Sequence, residues 1–249
     1  SPQEVPFDKV FTVPQYNLVI STDARGTIKV WHGDTGEELA AFSTSSSSCT
    51  LITYIVNNKP FLTAGTAGGA LYTFEATSLN QASHIIAFQN SGIDLLLCSP
   101  DKQWIVAGST NSASVSSKVF YAECLIDSTD EPPISNSLPI SKCTAACWLP
   151  NQAARIAIMH EEHAAFQMNI TVFDIALKKT KYKLEILAQQ VASFAVPGGS
   201  WREQTIMQGY GTETILLGHG SELKLCSVFG TQHETFQDHK NTITSIWVV

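Results

Sequence analysis

The chain has 249 residues, 44% hydrophobic and 15% charged, ample for a buried core and too apolar for a disordered protein. Formal net charge is −7, from 15 Lys+Arg against 22 Asp+Glu. There is no long run of Lys or Arg, so the electrostatic footprint of a nucleic-acid binder is missing. The longest apolar runs, such as Leu95–Cys98, are far shorter than the roughly 18–20 residues a membrane span needs.

The first residues, SPQEVPF, hold no charged segment followed by an apolar one, so no secretory signal is read. Without an initiator Met, the chain reads as a piece of a longer protein, and its expected setting is the cytoplasm or nucleus. Runs rich in Val, Ile, Thr, Leu and Phe then recur: VFTVP from Val10, TLITYIV from Thr50, IDLLLCSP from Ile93, CTAACWLP from Cys143, VASFAVP from Val191 and TITSIWVV from Thr242. Their starts lie about 40–51 residues apart, the spacing of a repeat architecture.

Each of the first five runs opens a series of further strands, with Gly, Ser, Asn, Asp and Pro in the gaps. The first series continues through LVIST (18–22), TIKVW (27–31), a tight turn at Asp34-Thr35-Gly36 and ELAAF (38–42). The second holds FLTAGT (61–66), ALYTFEA (70–76) and SHIIAF (83–88). The third holds WIVAGS (104–109) and KVFYAEC (118–124), with only LPI (138–140) available as a fourth strand. Ser109–Ser117 lengthens its middle turn, and Asp127–Ser137, with Pro132-Pro133, reads as an exposed loop.

The fourth series holds RIAIMH (155–160), NITVFDI (169–175) and TKYKLEIL (180–187). Good helix formers across Ile175–Gln190 offer a competing helix, while the alternation at 180–187 favours an edge strand. The fifth is read as VASFAV (191–196), TILLGHG (214–220), ELKLCSV (222–228) and HETFQ (233–237). Pro197–Gly211 has room for an extra strand but no assigned place. TITSIWVV stands as the first strand of a sixth unit. Second strands end in small residues, as in LTAGT and IVAGS, where neighbouring sheets are expected to crowd.

The phrase TIKVWHGDTGEELAAF (27–42) resembles half a blade of the WD40 superfamily. More closely, TIKVW, LYTFE (71–75), LLLCSPDKQW (95–104), CTAACWLP (143–150), VASFAV and FQDHKNTITSIWV (236–248) resemble, in the same order, the F-box/WD-repeat protein 12 group. The resemblance implies an all-β, WD40-like β-propeller portion over 1–249, part of a larger ring. Its blades fall near 7–43, 49–88, 92–140, 142–187 and 190–237, with a partial sixth at 240–249. It also implies the substrate-binding arm of an F-box receptor, whose F-box docks on the Skp adaptor of a cullin ubiquitin ligase. No Leu-Pro-rich helical segment precedes the first blade, so adaptor binding is carried to no residue here. Blades of this superfamily pair a loop His, a second-strand Ser or Thr, a turn Asp and a third-strand Trp. The first blade offers Thr22, Asp23 and Trp31 without the His, which implies a diverged, less rigid propeller.

No catalytic, cofactor or metal set is read. His160-Glu161-Glu162-His163 is not H-E-x-x-H and is expected in a turn between strands. Gly209-Tyr210-Gly211 and Gly218-His219-Gly220 precede no helix, so a phosphate cradle is unsupported. No G-x-S-x-G occurs. Asn169-Ile170-Thr171 fits a glycosylation acceptor but lies in an expected strand, and Ser43–Ser48 reads as a flexible link. The six cysteines (49, 98, 124, 143, 147 and 226), without C-x-x-C, are expected as reduced core thiols. Partner binding falls to loops at one face, with Asp23, Arg25, His160, His163, His219 and His239 as candidates. Arg25 is the only Arg among those loops, so tight capture of a phosphorylated degron is not expected. The function expected is non-catalytic protein interaction, with a plain WD40 scaffold as the alternative. The protein partner itself is not legible, and neither nucleic acid nor membrane is expected.

Overall fold

Short β-branched and aromatic runs separated by Asn- and Gly-bearing turns favour hairpins between neighbours in sequence. The computed structural model describes residues 7–47, 49–127, 131–150, 154–162, 167–196, 205–230 and 232–249. It shows five four-stranded sheets, each ordered as its strands occur in the chain. The first is β1 (Phe7–Val13), β2 (Leu18–Asp23), β3 (Thr27–His32) and β4 (Glu38–Ser43). The second is β5 (Cys49–Val56), β6 (Lys59–Thr66), β7 (Ala70–Glu75) and β8 (Gln81–Ile86). The third is β9 (Leu95–Cys98), β10 (Trp104–Gly108), β11 (Lys118–Tyr121) and β12 (Ser135–Ser137). The fourth is β13 (Cys143–Leu149), β14 (Ala154–Glu162), β15 (Gln167–Lys179) and β16 (Leu184–Ala195). The fifth is β17 (Thr205–Tyr210), β18 (Thr214–His219), β19 (Glu222–Ser227) and β20 (Gln232–Phe236).

The chain divides into two compact units. One is built on the first two sheets and a short helix α1 (Ala122–Ile126); the other on the fourth and fifth sheets with β10 and β12. Ile20, Ile28, Val30, Leu62 and Phe74 are fully buried in the first unit, each contributing about 1.5–3 kcal/mol relative to exposure. Leu149, Met159, Ile170, Val172 and Ile215 do the same in the second. Second strands are covered on both faces, so β10 reads as an unbroken apolar run with every residue buried. Fourth strands such as β4 and β8 are largely exposed.

Several expectations need correction. KVFYAEC is not one strand: β11 stops at Tyr121, and residues 122–126 turn into α1, which buries Ala122 and Leu125. The fourth strand of the third sheet is Ser135–Ser137, inside the segment expected as a loop, rather than LPI. Leu138 and Ile140 are buried after it. At 175–190 the favoured strand reading holds and the competing helix does not form. β16 runs unbroken through 184–195 and pairs with β15 from Asn169↔Ala195 to Lys179↔Leu184.

VASFAV is therefore the end of the fourth sheet's last strand, not the start of the fifth sheet. That start is β17, Thr205–Tyr210, inside the segment without an assigned place, of which residues 197–204 lie outside the described set. The ladder with β15 decides this, since it carries β16 to its last residue, Ala195, with one register shift between Val172 and Phe173.

TITSIWVV forms no strand, although its composition suits one. A strand needs a neighbour for its ladder, and among the described residues none pairs with it. Its first anchor is nonetheless informative. Ile243 N donates to Gly220 O at 2.7 Å, and a Cβ on Gly218 would lie 3.0 Å from Ile243 Cγ2. In the first unit Ile93 N donates to Thr66 O at 2.9 Å, and a Cβ on Gly65 would lie 2.5 Å from Ile93 Cγ2. The small residues ending these second strands make room for an isoleucine of the link that leaves the sheet.

Candidate functional site

The turn from second to third strand is the best-built candidate loop. In the first sheet Asp23 Oδ1 accepts from Arg25 N at 2.9 Å and from Thr27 N at 3.0 Å. Gly26 N donates to Asp23 O at 3.0 Å. Gly26 adopts φ +72°, and a Cβ there would stand 2.2 Å from Ser46 O, so the turn requires glycine. Thr44, just beyond β4, fastens it with N and Oγ1 bonds to Gly26 O at 3.1 and 2.8 Å. The second sheet repeats the device: Thr66 Oγ1 accepts from Ala70 N at 3.0 Å, and Gly69, at φ +88°, receives Ala87 N at 2.9 Å. Asp23 and Thr66 thus hold equivalent positions, a correspondence visible as D-x-x-G and T-x-x-G three residues ahead of glycine. The turn presents Arg25 exposed on an ordered backbone.

The buried polar pairing of the first sheet differs from expectation. Trp31 Nε1 donates to Ser21 Oγ at 2.9 Å, not to Thr22. Strand parity is the cause. Trp31 lies opposite Val19, so its face carries Val19 and Ser21 while Thr22 points to the other side. Thr22 Oγ1 is buried with no hydrogen-bond partner among the described residues. The sequence reading missed two other chains of hydroxyls. Tyr54 OH bonds Thr63 Oγ1 at 2.7 Å, and Thr63 Oγ1 bonds Thr73 Oγ1 at 3.0 Å, across β5, β6 and β7. His160 Nε2 bonds Thr171 Oγ1 at 2.8 Å, and Thr171 Oγ1 bonds Ser193 Oγ at 2.9 Å, across β14, β15 and β16. Polar residues two apart on facing strands were the available signal.

The remaining candidate residues are dispersed. His160 lies in β14 rather than in a turn, because the β14–β15 ladder continues to Glu162↔Gln167. Burial holds its imidazole below the usual range, and Glu162 opposes that. His163 lies outside the described residues. His219 ends β18, half-buried, opposite Glu222 and Thr205. His239 is exposed beyond β20. Asp23 and Arg25 are joined through one turn. Among the described residues no three His, Cys, Asp or Glu side chains converge as a metal-ligand set. All six cysteines are free thiols; burial pushes Cys49 up to about 11 and Cys147 up to about 12, the protonated, unreactive form. Among the described residues no helix is long and apolar enough to cross a membrane.

No protein-family model matches the chain. Over 251 residues it is 35% identical to F-box/WD repeat-containing protein 12 of Homo sapiens, covering 99% of this chain and 53% of that protein. It is 24% identical over 240 residues to F-box/WD repeat-containing protein 15 of Mus musculus, covering 95% of this chain and 51% of that one. The chain spans about half the length of the curated relatives it matches. Among solved structures it resembles Saccharomyces cerevisiae Sqt1 at TM-score 0.69 and 10% identity, over 95% of this chain and 62% of that chain. That likeness shows the fold alone, a WD40-type β-propeller fold.

Proposed function

We propose that this chain is the substrate-holding propeller portion of an F-box-type receptor for ubiquitin ligation, non-catalytic in itself. The observation that supports the reading best is the 35% identity to F-box/WD repeat-containing protein 12, sustained over 99% of the chain. In this reading residues 1–249 belong to one propeller portion working in the cytoplasm or nucleus. The second-to-third-strand turns, led by Asp23 and Arg25, meet a protein substrate, while the Skp adaptor and cullin are engaged through an F-box outside these residues.

Co-precipitation of the longest native isoform tests the proposal. Recovery of both the Skp adaptor and cullin is expected. Recovery of neither favours the alternative, a WD40 scaffold without ligase connection. With one exposed Arg in these turns, a phosphorylated peptide is expected to bind no better than weakly, since phosphate recognition relies on clustered guanidinium forks. Micromolar capture that Arg25→Ala abolishes would contradict that expectation.

A further inference from the structure

The fourth sheet carries a projecting, positively charged hairpin tip that the propeller reading does not use. Pairing between β15 and β16 continues to Lys179↔Leu184, whereas described β14 reaches only Ala154↔Ile175. Residues 176–187 therefore run beyond the described edge of β14. The turn at their end is ordered. Thr180 N donates to Lys183 O at 2.9 Å, Thr180 Oγ1 donates to the same carbonyl at 3.1 Å, and Lys183 N returns a bond to Thr180 Oγ1 at 3.2 Å.

Every residue from Lys178 to Lys183 is exposed, with Tyr182 at 86%. Lys178, Lys179, Lys181 and Lys183 make up four of the chain's 15 basic residues. Glu185 is the one carboxylate of the 178–185 segment; it lies opposite Lys178 in the ladder and is paired with Lys183 at 2.5 Å, so the four lysines keep an excess of positive charge. Lys181 Nζ stands 5.6 Å from the Tyr182 ring, so the one aromatic side chain sits among the charges.

Lysines on an edge strand can serve simply to prevent edge-to-edge association. Lys178 and Lys179 lie on the ladder and suit that role, whereas Lys181 and Lys183 lie in the turn closed by the Thr180 N–Lys183 O bond, beyond the ladder's last pair. The rest of the chain supplies a net negative charge, since the whole carries −7. An extended polyanion such as nucleic acid or an anionic bilayer would meet that repulsion over a wide area. A short anionic segment feels mainly charges within the screening length, about 8–10 Å at physiological salt. Ammonium groups are compact point charges with three rotatable donors each, which attract clustered anionic side chains without requiring a fixed bidentate geometry. Tyr182 adds rigid amphipathic contact area.

We propose that the β15–β16 tip, residues 178–183, is a docking point for a short Asp/Glu-rich protein segment, separate from the second-to-third-strand turns. The proposal does not depend on the ligase reading. Its test uses the 249-residue chain and a fluorescently labelled peptide of about ten alternating Asp and Glu residues. A matched Asn/Gln peptide, a single-stranded oligonucleotide and phosphatidylserine vesicles serve as competing probes. Binding to the acidic peptide is expected to weaken at least about tenfold between about 50 and about 200 mM salt, with several contacts screened together.

The variant carrying K178Q, K179Q, K181Q and K183Q is expected to lose at least about tenfold in affinity with an unchanged melting temperature, because none of the four is buried. Tyr182→Ala is expected to weaken binding by a smaller factor. Equal binding by the quadruple variant, no measurable binding by the parent, or tighter binding of the oligonucleotide or vesicles would overturn the proposal. If the quadruple variant melts early, the double variant K181Q and K183Q, confined to the turn, gives the same comparison.

Discussion

The second and fourth sheets solve one problem with different chemistry. In the second, the chain Tyr54–Thr63–Thr73 joins its first three strands, with Thr63 and Thr73 fully buried. In the fourth, His160–Thr171–Ser193 joins its last three strands, running from a half-buried imidazole to an exposed hydroxyl. Both place one residue diagonally across and one directly across the central threonine. The inner chain is dry, so its bonds are electrostatically stronger and costlier to break. The outer chain can exchange with water and includes a group that titrates. Among the described residues the first sheet has neither chain; it has the Ser21–Trp31 bond, the exposed Lys29–Glu38 pair and an unpartnered Thr22 hydroxyl.

The largest effect is expected at the dry chain. Thr63→Val keeps the side-chain volume but removes both bonds in a fully buried setting, which should cost about 2–3 kcal/mol. Urea denaturation of the variant measures this; a loss under about 0.5 kcal/mol would mean the inner chain is no stronger than the outer one. Thr171→Val, at the equivalent position of the wetter chain, is expected to cost about 1 kcal/mol, because Ser193 can be rehydrated. The ratio between the two variants is the direct measure of how far burial separates the sheets.

Thr22→Val should have the opposite sign. Its hydroxyl is buried and unpartnered, so an apolar side chain of the same shape is expected to stabilise by about 0.5–1 kcal/mol. A destabilisation of similar size, seen as a lower denaturation midpoint, would show that the hydroxyl is satisfied and that the first sheet has a chain of its own.

How much of this was legible in the sequence depends on which partner decides each element. Hairpins closed by local turns, such as TIKVW to ELAAF through Asp34-Thr35-Gly36, were readable because propensity, alternation and turn chemistry agree over a few residues. VASFAV and TITSIWVV look alike as strands. One extends a ladder with β15 from the preceding turn, and the other has no described strand to pair with, facts held in residues far along the chain. LPI and Ser135–Ser137 were inverted for a related reason: Leu138 and Ile140 are buried without ladder pairing, while a polar SNS run takes the edge of the sheet. The D-x-x-G turn at Asp23 was legible; the use of Ser21 in place of Thr22 required the register Val19↔Trp31. The lysine-rich tip was present as KKTKYK but too short to count as a basic run until the hairpin fixed its exposure.

The smallest effect is the one that distinguishes the two chains by chemistry rather than by burial. The inner chain holds only hydroxyls, so it should be indifferent to pH in the neutral range. The outer chain holds His160, whose imidazole burial keeps below its usual range against a weaker pull from Glu162. In the unfolded chain the same imidazole titrates near about 6.5, so as pH falls the unfolded state takes up the proton first. The stability contributed by the neutral imidazole is therefore complete above that value and declines as pH drops below it. Comparing denaturation at about pH 7.5 and about pH 5.5, the parent should lose a few tenths of a kcal/mol more than His160→Gln, which has no proton to gain. Thr63→Val should keep the parent's pH dependence while losing its stability. If His160→Gln follows the parent's pH dependence, the imidazole is solvated in the folded state, and the difference between the two chains reduces to depth alone.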